Sequence, residues 1–310
     1  MTLSDPVSPS TNGATGSLFA GGWLRGSQTA QVSGSDAVGI KSFAVVRDGE
    51  VVAQDPQECD YGKVTPCASP GVELASELPP VDTAGWVDGV HQVSLRVVDG
   101  GDNVTDTPAV EVKVDNTAPA APTKVRNGRG AVWAARRSQT LKWDAPTGQA
   151  APIVGSTLSA CRGKKQPRCV KVTATAAGEA KVVLPRQGLY RGGVYLTDEA
   201  GNVSPANAAK VAVGYDSSKP KRPRLGAVTR GKGRTRSVRV RFRDAGAAPI
   251  ARLSARLCRP GRTAGCTRVR TSDTKRVRTA LKRGSGRIEL RVRVVDAAGN
   301  RSVEARRRIG

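Results

Sequence analysis

The chain has 310 residues, and its 50 Lys and Arg against 26 Asp and Glu give it a net charge of +24. No apolar run approaches the roughly 18 residues of a membrane-spanning helix, so we expect no transmembrane segment. The only histidine, His91, is predicted to lie in a turn, which argues against Ser-His-Asp or Cys-His chemistry. We therefore expect no catalytic site and no cofactor.

One pattern occurs three times at intervals close to one hundred residues. Two cysteines separated by seven residues are followed, roughly thirty residues later, by a strand that ends in Asp before a Gly/Asn turn. The strand-ending residues Asp99, Asp198 and Asp296 are offset by 99 and then 98 residues. A period of this size indicates a string of similar modules. The cysteine pairs are Cys59 and Cys67, Cys161 and Cys169, and Cys258 and Cys266.

Three equivalent cysteine pairs with none left over predict three disulfides and an oxidising compartment. The alternative is zinc, but zinc sites usually separate paired ligands by about two to four residues and use His as well as Cys. The first residues do not have the pattern of a secretory signal. We therefore expect an extracellular or cell-surface protein whose export signal lies upstream of this chain.

In chain order, residues 93–97, 238–243 and 288–294 alternate apolar with polar or charged side chains, which predicts strands with one buried face. Two connectors, 114–119 and 215–220, run from a strand into Asp and reach Pro four residues later. Proline restricts the backbone there, so these links should be extended and stiff. They divide the chain into modules 1–118, whose first residues should be flexible, 119–218 and 219–310.

Residues 190–205 resemble the late strands of fibronectin type III and bacterial Ig-like domains, because Tyr190 precedes a strand that closes in Asp198, Gly201 and Asn202. Residues 141–146, which contain Trp143, are similar to the early tryptophan strand of that fold. Residues 22–26 and 88–91 resemble Ig-like repeats of large secreted proteins of high-GC Gram-positive bacteria. The resemblance implies an all-β chain of three tandem Ig-like or fibronectin type III-like β-sandwich domains.

Placed on that fold, each cysteine pair should join the two strands of a hairpin. Asp99, Asp198 and Asp296 should end the penultimate strand of each module. In the turns that follow, the expected left-handed or permissive positions are Gly101, Gly201, Gly299, Asn103, Asn202 and Asn300. These residues are interpreted as turn-forming rather than as a repeated ligand site.

Charge differs sharply between the modules. Residues 1–118 hold 6 basic and 16 acidic residues (net −10), residues 119–218 hold 15 and 5 (net +10), and residues 219–310 hold 29 and 5 (net +24). A basic end favours contact with a polyanion such as an anionic cell-wall polymer, and the absence of interleaved aromatics argues against sequence-specific nucleic-acid binding. The candidate residues are Arg239, Arg241, Arg243, Arg268, Arg270, Arg276, Arg278, Arg291 and Arg293.

Two further hypotheses remain open. Asp99, Asp102 and Asp115 offer oxygen ligands of the kind calcium prefers, although the basic second connector and the missing acidic partners favour a turn role and no metal. A carbohydrate- or peptide-binding module, appended to an upstream catalytic or surface domain, would use exposed aromatics; the candidates are Trp23, Tyr61 and Trp86. The main expectation is a non-enzymatic stalk or display segment made of monomeric modules.

Overall fold

The structure is a computed structural model, and it describes residues 5–128, 130–163, 167–175, 178–243, 246–262, 264–271, 273–283 and 286–310. Residues 1–4, part of the N-terminal stretch for which the sequence predicts flexibility, lie outside the described residues. Two compact units divide the chain: Met1–Ala120 with Pro146–Gly155 and Leu196–Asn207, and Ala121–Ala145 with Ser156–Tyr195 and Ala208–Gly310.

The first sandwich lies in the first unit. Its strands are β1 (Ser10–Thr15), β2 (Trp23–Leu24), β3 (Ser27–Gln28), β4 (Gln31–Ser35), β5 (Ile40–Arg47), β6 (Glu50–Pro56), β7 (Leu74–Glu77), β8 (Val81–Asp82), β9 (Gly89–Asp99), β10 (Val104–Asp106) and β11 (Val110–Val114), with short 3-10 helices at Ser17–Phe19 and Thr83–Gly85. One sheet has the order β1-β4-β7 and the other β2-β11-β9-β5-β6, with β10 beside β9 and a separate β3-β8 pair.

The core of this sandwich lies against its central strands β9 and β5, and burial alternates along β9. Val93, Leu95 and Val97 of β9 are fully buried, while the residues between them face outward. Phe43 and Val45 of the neighbouring strand β5 are also fully buried and belong to the same hydrophobic cluster. Period-two alternation thus places one apolar face of the larger sheet against the smaller sheet.

The second sandwich contains β12 (Thr123–Asn127), β13 (Trp133–Ala134), β14 (Ser138–Asp144), β15 (Ile153–Arg162), β16 (Arg168–Ala174), β17 (Glu179–Val183), β18 (Gly188–Asp198) and β19 (Ala209–Tyr215), with a 3-10 helix at Pro205–Asn207. Its sheets have the orders β12-β14-β17 and β13-β19-β18-β15-β16. Trp143 and Tyr190 are buried, and the Tyr190 hydroxyl donates to the carbonyl of Arg186 at 3.1 Å. The phenol therefore fills the core while its polar end is satisfied by the backbone.

The third sandwich lies in the second unit, and seven strands are formed by its described residues. They are β20 (Arg224–Arg230), β21 (Thr235–Arg241), β22 (Ile250–Cys258), β23 (Thr267–Val269), β24 (Arg276–Ala280), β25 (Glu289–Asp296) and β26 (Ala305–Arg308), in sheets β20-β21-β24 and β23-β22-β25-β26. Val238, Leu253, Leu290, Val292 and Val294 form part of its buried cluster.

These features confirm the predicted all-β fold of three sandwiches. The strands β9, β18 and β25 end at Asp99, Asp198 and Asp296 as expected. All three predicted cysteine pairs are disulfide-bonded, and Cys161 faces Cys169 across the β15–β16 hairpin. The module boundaries at 118 and 218 stay a prediction.

Two local expectations were wrong. His91 lies within β9 rather than in a turn, and its ring nitrogens contact Asp48 and the carbonyl of Val87. Arg291 was expected on a wet strand face, yet it is only 5% exposed. Strand β25 is central in its sheet, so side chains of the strands on either side cover it, and Glu289 pairs with its guanidinium at 2.8 Å.

Candidate functional site

The connector aspartates are buried and fully engaged in hydrogen bonds. Asp115 is 2% exposed; its Oδ1 accepts the backbone N–H of Thr117 at 2.9 Å, and its Oδ2 accepts that of Ala151 at 2.8 Å. Asp216 is 0% exposed and repeats the arrangement with Ser218 at 2.8 Å and Ala248 at 2.7 Å. Each carboxylate therefore fixes its own connector and also holds a loop that precedes a strand of the following sandwich.

The Asp-Asn turns complete this arrangement. Asp198 Oδ1 accepts the backbone N–H of Asn202 at 2.7 Å, and Asp198 Oδ2 accepts its side-chain amide at 3.2 Å. The same amide donates to the carbonyl of Asp115 at 2.7 Å. We call this unit, a connector Asp together with the Asp-Asn turn that donates to it, a clasp.

The clasp occurs three times within the described part of the chain. Asn300 donates to the carbonyl of Asp216 at 2.8 Å, and Asn103 donates to the carbonyl of Asp5 at 2.8 Å. Asp5 also accepts the backbone N–H of Val7 at 3.0 Å. Asp115 and Asp216 likewise each accept the backbone N–H of the residue two positions later. Sequence analysis missed this third copy, although Asp5 stands four residues before Pro9 just as Asp115 stands four before Pro119.

The predicted backbone role of the turn asparagines was wrong. Gly201 (80°) and Gly299 (89°) have positive φ angles as expected, but in the first sandwich the positive angle is at Asp102 (68°) rather than at Gly101. Asn103, Asn202 and Asn300 are outside the left-handed region and act through their side-chain amides. An asparagine is required there because its amide must donate to two oxygens at once.

The clasp of the first sandwich, formed by Asp5 and Asn103, carries an extra carboxylate. Asp36, 7% exposed, accepts the N–H of Val38 at 2.8 Å, and among the described residues no donor reaches the buried Oδ2 of Asp5. In the third sandwich the equivalent position is Gly246, where a Cβ would approach Asp216 Oδ2 to 2.2 Å. Burial raises the pKa of Asp36, and the carboxyls of Asp99 and Asp5 add to the increase.

The carboxylates grouped with Asp99 are not those that the calcium hypothesis names. Asp102 pairs with Lys41, and both oxygens of Asp115 are engaged in its clasp, so the structure does not bring those residues to Asp99. Among the described residues, the carboxylates of Asp99, Asp5 and Asp36 offer oxygens within 4.8 Å of one another. Repulsion within such a group can be relieved by a shared proton or by a cation.

The basic residues of the third sandwich are mostly exposed. Arg239, Arg241 and Arg278 project from the outer face of the β20-β21-β24 sheet, and Arg268 projects from the edge strand β23. Arg243 and Arg270 are exposed just beyond strand ends, and Arg276 is half-buried. Arg293 is half-buried and lies 3.7 Å from Glu304, while Arg291 is buried. Most of the predicted arginines are thus available to solvent.

The candidate aromatics differ in exposure. Trp86 is 7% exposed and belongs to the core cluster; the Arg47 guanidinium lies 5.1 Å from its ring centroid. Trp23 is half-buried on β2. Tyr61, at 61% exposed, presents most of its side chain to solvent. Trp86 therefore acts as a core anchor.

The fold follows from the arrangement of the strands. Each module contains a three-stranded sheet and a larger, mainly antiparallel sheet. The three sandwiches are Ig-like and fibronectin type III-like. No family model matches the chain, and no curated protein sequence matches it. None of the described helices is long and apolar enough to cross a membrane.

Solved structures that resemble the chain are also module arrays. They include the chicken CNTN1 FN1–FN3 domains (14% identity, 92% of this chain and 94% of that chain, TM-score 0.37) and titin domains A168–A170 (13%, 97% and 98%, 0.37). Fibronectin(III)-like modules of Clostridium thermocellum CbhA align at 13% identity over 65% of this chain and 93% of that chain, with a TM-score of 0.33.

Proposed function

We propose that the chain is a non-enzymatic structural or adhesion segment of an extracellular or cell-surface bacterial protein. Its modules, 1–118, 119–218 and 219–310, serve as a stalk or display unit, and the basic third module contacts an anionic polymer. The observation that carries the structural part is the repeated clasp, because a spacer needs its connectors held rather than free. Buried, hydrogen-bonded Asp115 and Asp216 meet that need.

The extracellular location is supported by three disulfides, since such bonds persist in oxidising compartments. The contact with a polyanion is supported by the net charge of +24 in residues 219–310 and by the exposure of arginines on both sheets. Arginine forms paired hydrogen bonds with phosphate and carboxylate groups, which suits it to anionic polymers.

Salt-dependent retention tests this function. The full chain is applied to immobilised heparin and to purified anionic wall polymer at about 0.15 M salt and eluted with increasing salt. We expect retention on both and release as screening increases. A chain that passes through unretained has no polyanion contact, and retention that is insensitive to salt contradicts a charge-driven mechanism.

A second candidate is carbohydrate or peptide binding by the acidic first module. It is favoured by one observation, the exposed ring of Tyr61 on the loop closed by the Cys59–Cys67 disulfide. Screening the full chain and the Tyr61→Ala variant against glycan and peptide arrays would identify such a ligand. Signals lost only in the variant would support it, and identical profiles would contradict it.

A further inference from the structure

A row of four arginines crosses the larger sheet of the third sandwich. In the register of that sheet, Arg268 of β23 lies opposite Arg256 of β22, Arg256 opposite Arg291 of β25, and Arg291 opposite Arg306 of β26. Neighbouring strands are about 4.8 Å apart, so the four Cα positions span about 14 Å. The sequence does not reveal this row, because its members are scattered over fifty residues.

Like charges placed directly opposite each other destabilise a sheet. Two glutamates offset part of the repulsion: Glu289 pairs with Arg291 at 2.8 Å, and Glu304 pairs with Arg306 at 3.1 Å and with Arg293 at 3.7 Å. The four arginines of the row and Arg293, taken with these two glutamates, sum to a charge of +3. Both glutamates lie toward the β25 and β26 side, so Arg256 and Arg268 remain exposed and outside the ion pairs formed among the described residues.

The other sheet has no comparable row among its described residues. Its cross-strand arginines occur in three separate pairs: Arg224 with Arg241, Arg230 with Arg236, and Arg239 with Arg276. None of these pairs extends across all three strands: a bulge between Leu225 and Val228 interrupts the register beside Arg239, Arg236 faces Thr279 on β24, and Arg241 lies beyond the β21–β24 register. The four-arginine row is therefore a feature of one face, whereas net charge is a feature of the whole sandwich.

The ligand chemistry follows from what surrounds the row. The one aromatic residue in 219–310 is Phe242, which is packed against the hydrophobic core, so nucleobases have no exposed ring on which to stack. Arginine guanidinium groups suit phosphate oxygens, which they bind through two parallel hydrogen bonds. A chain of phosphodiesters without bases fits this face, because it offers phosphate oxygens to the guanidinium groups and needs no aromatic ring for stacking.

We propose that a linear, base-free phosphodiester polymer binds across the strands of the third sandwich, along the row Arg268–Arg256–Arg291–Arg306. Arg256, Arg268 and Arg306 contact the phosphates, and Arg291, held by Glu289, orients the centre of the row. This inference rests on the proposed contact with a polyanion and assigns that contact to one face.

The test compares two variants of the full chain that lose the same charge. The row variant is Arg256→Gln/Arg268→Gln/Arg306→Gln, and the control is Arg224→Gln/Arg239→Gln/Arg241→Gln, which removes three exposed arginines from the other sheet. Affinity for soluble poly(glycerol phosphate) is measured by titration calorimetry over a range of salt concentrations. Melting curves verify that both variants are folded. If the triple row variant is unfolded, Arg268→Gln/Arg306→Gln, which keeps the middle of the row, is compared with Arg239→Gln/Arg241→Gln, which loses the same charge.

We expect the row variant to bind at least about tenfold more weakly than the unaltered chain at about 0.15 M salt, and the control no more than about threefold more weakly. The slope of log affinity against log salt should fall by about 2 in the row variant, at about 0.7 for each phosphate that is no longer bound. Equal weakening in both variants would overturn the assignment to this face while leaving the proposed binding of a polyanion intact. No binding by the unaltered chain would instead refute polyanion binding itself.

Two other polymers test the ligand class. Single-stranded DNA with the same number of phosphates carries bases, and heparin carries sulfates on a sugar chain. The proposal predicts that neither binds more tightly than poly(glycerol phosphate). Tighter binding of the DNA would show that bases contribute, and tighter binding of heparin would show that sulfates are preferred; either result overturns the phosphodiester assignment.

Discussion

Removing the side-chain amide of Asn202 tests whether the clasp stabilises the chain. Asn202 is 4% exposed, and in Asn202→Ala the carbonyl of Asp115 and Oδ2 of Asp198 lose donors at 2.7 and 3.2 Å. A buried polar group left without a partner costs about 1–3 kcal/mol, so two such groups imply a loss of about 3 kcal/mol. For a domain of this size that loss corresponds to a decrease in melting temperature of about 12 °C or more.

The assay is thermal and urea unfolding of the full chain, followed by near-UV circular dichroism. The matched control is Asn12→Ala, because Asn12 is exposed to solvent and its amide donates only to the exposed Glu73 at 2.9 Å. The control should change stability by no more than about 0.5 kcal/mol. The reasoning is refuted if the transition of Asn202→Ala coincides with that of Asn12→Ala, since the clasp would then contribute nothing measurable.

Three more outcomes are expected. Burial raises the pKa of Asp36, so the folded chain binds that proton more readily than the unfolded chain and stability falls as pH rises through the raised pKa. Asp36→Asn should remove this fall in melting curves taken from about pH 4 to about pH 8, and parallel curves for the two proteins would contradict it. Cys161→Ala/Cys169→Ala, which opens a disulfide with a sequence separation of 8, should lower stability by about 2.5 kcal/mol in urea unfolding; an unchanged midpoint would exclude that contribution. Arg256→Gln should stabilise the third sandwich at low salt by about 0.2–1 kcal/mol through relief of cross-strand repulsion, and this gain should shrink as salt is added; a loss of stability at low salt would contradict it.

Much of the architecture could be predicted from the repeat. The cysteine pairs, the strands that end at Asp99, Asp198 and Asp296, and the alternation from 238 to 241 follow from spacing and periodicity, although the predicted strand 238–243 ends two residues early, at Arg241. These signals are local, and three copies of each reinforce one another. Alternation predicted an exposed side chain for Arg291, which is buried. A period of two separates the two faces of a sheet, but it does not indicate which outward-facing positions the neighbouring strands cover.

The candidate sites were harder to predict because they join distant residues. Asn202 and Asp115 are 87 positions apart, and the amide of Asn202 was assigned to turn geometry although it bridges two oxygens. Trp86 and Tyr61 look equivalent as sequence aromatics, yet one is buried in the core and the other is exposed. Only packing distinguishes them.

The sequence alone determined that this is a disulfide-bonded all-β array whose charge rises from −10 to +24, since composition, period and cysteine count are properties of the chain. The tertiary structure decided which of those residues act together. Strand register aligned Arg268, Arg256, Arg291 and Arg306 into one row, and chain reversal brought each connector Asp to the amide of an Asn. The physical reason is that hydrogen-bond partners and charge neighbours are set by distance in space, which a linear pattern does not specify.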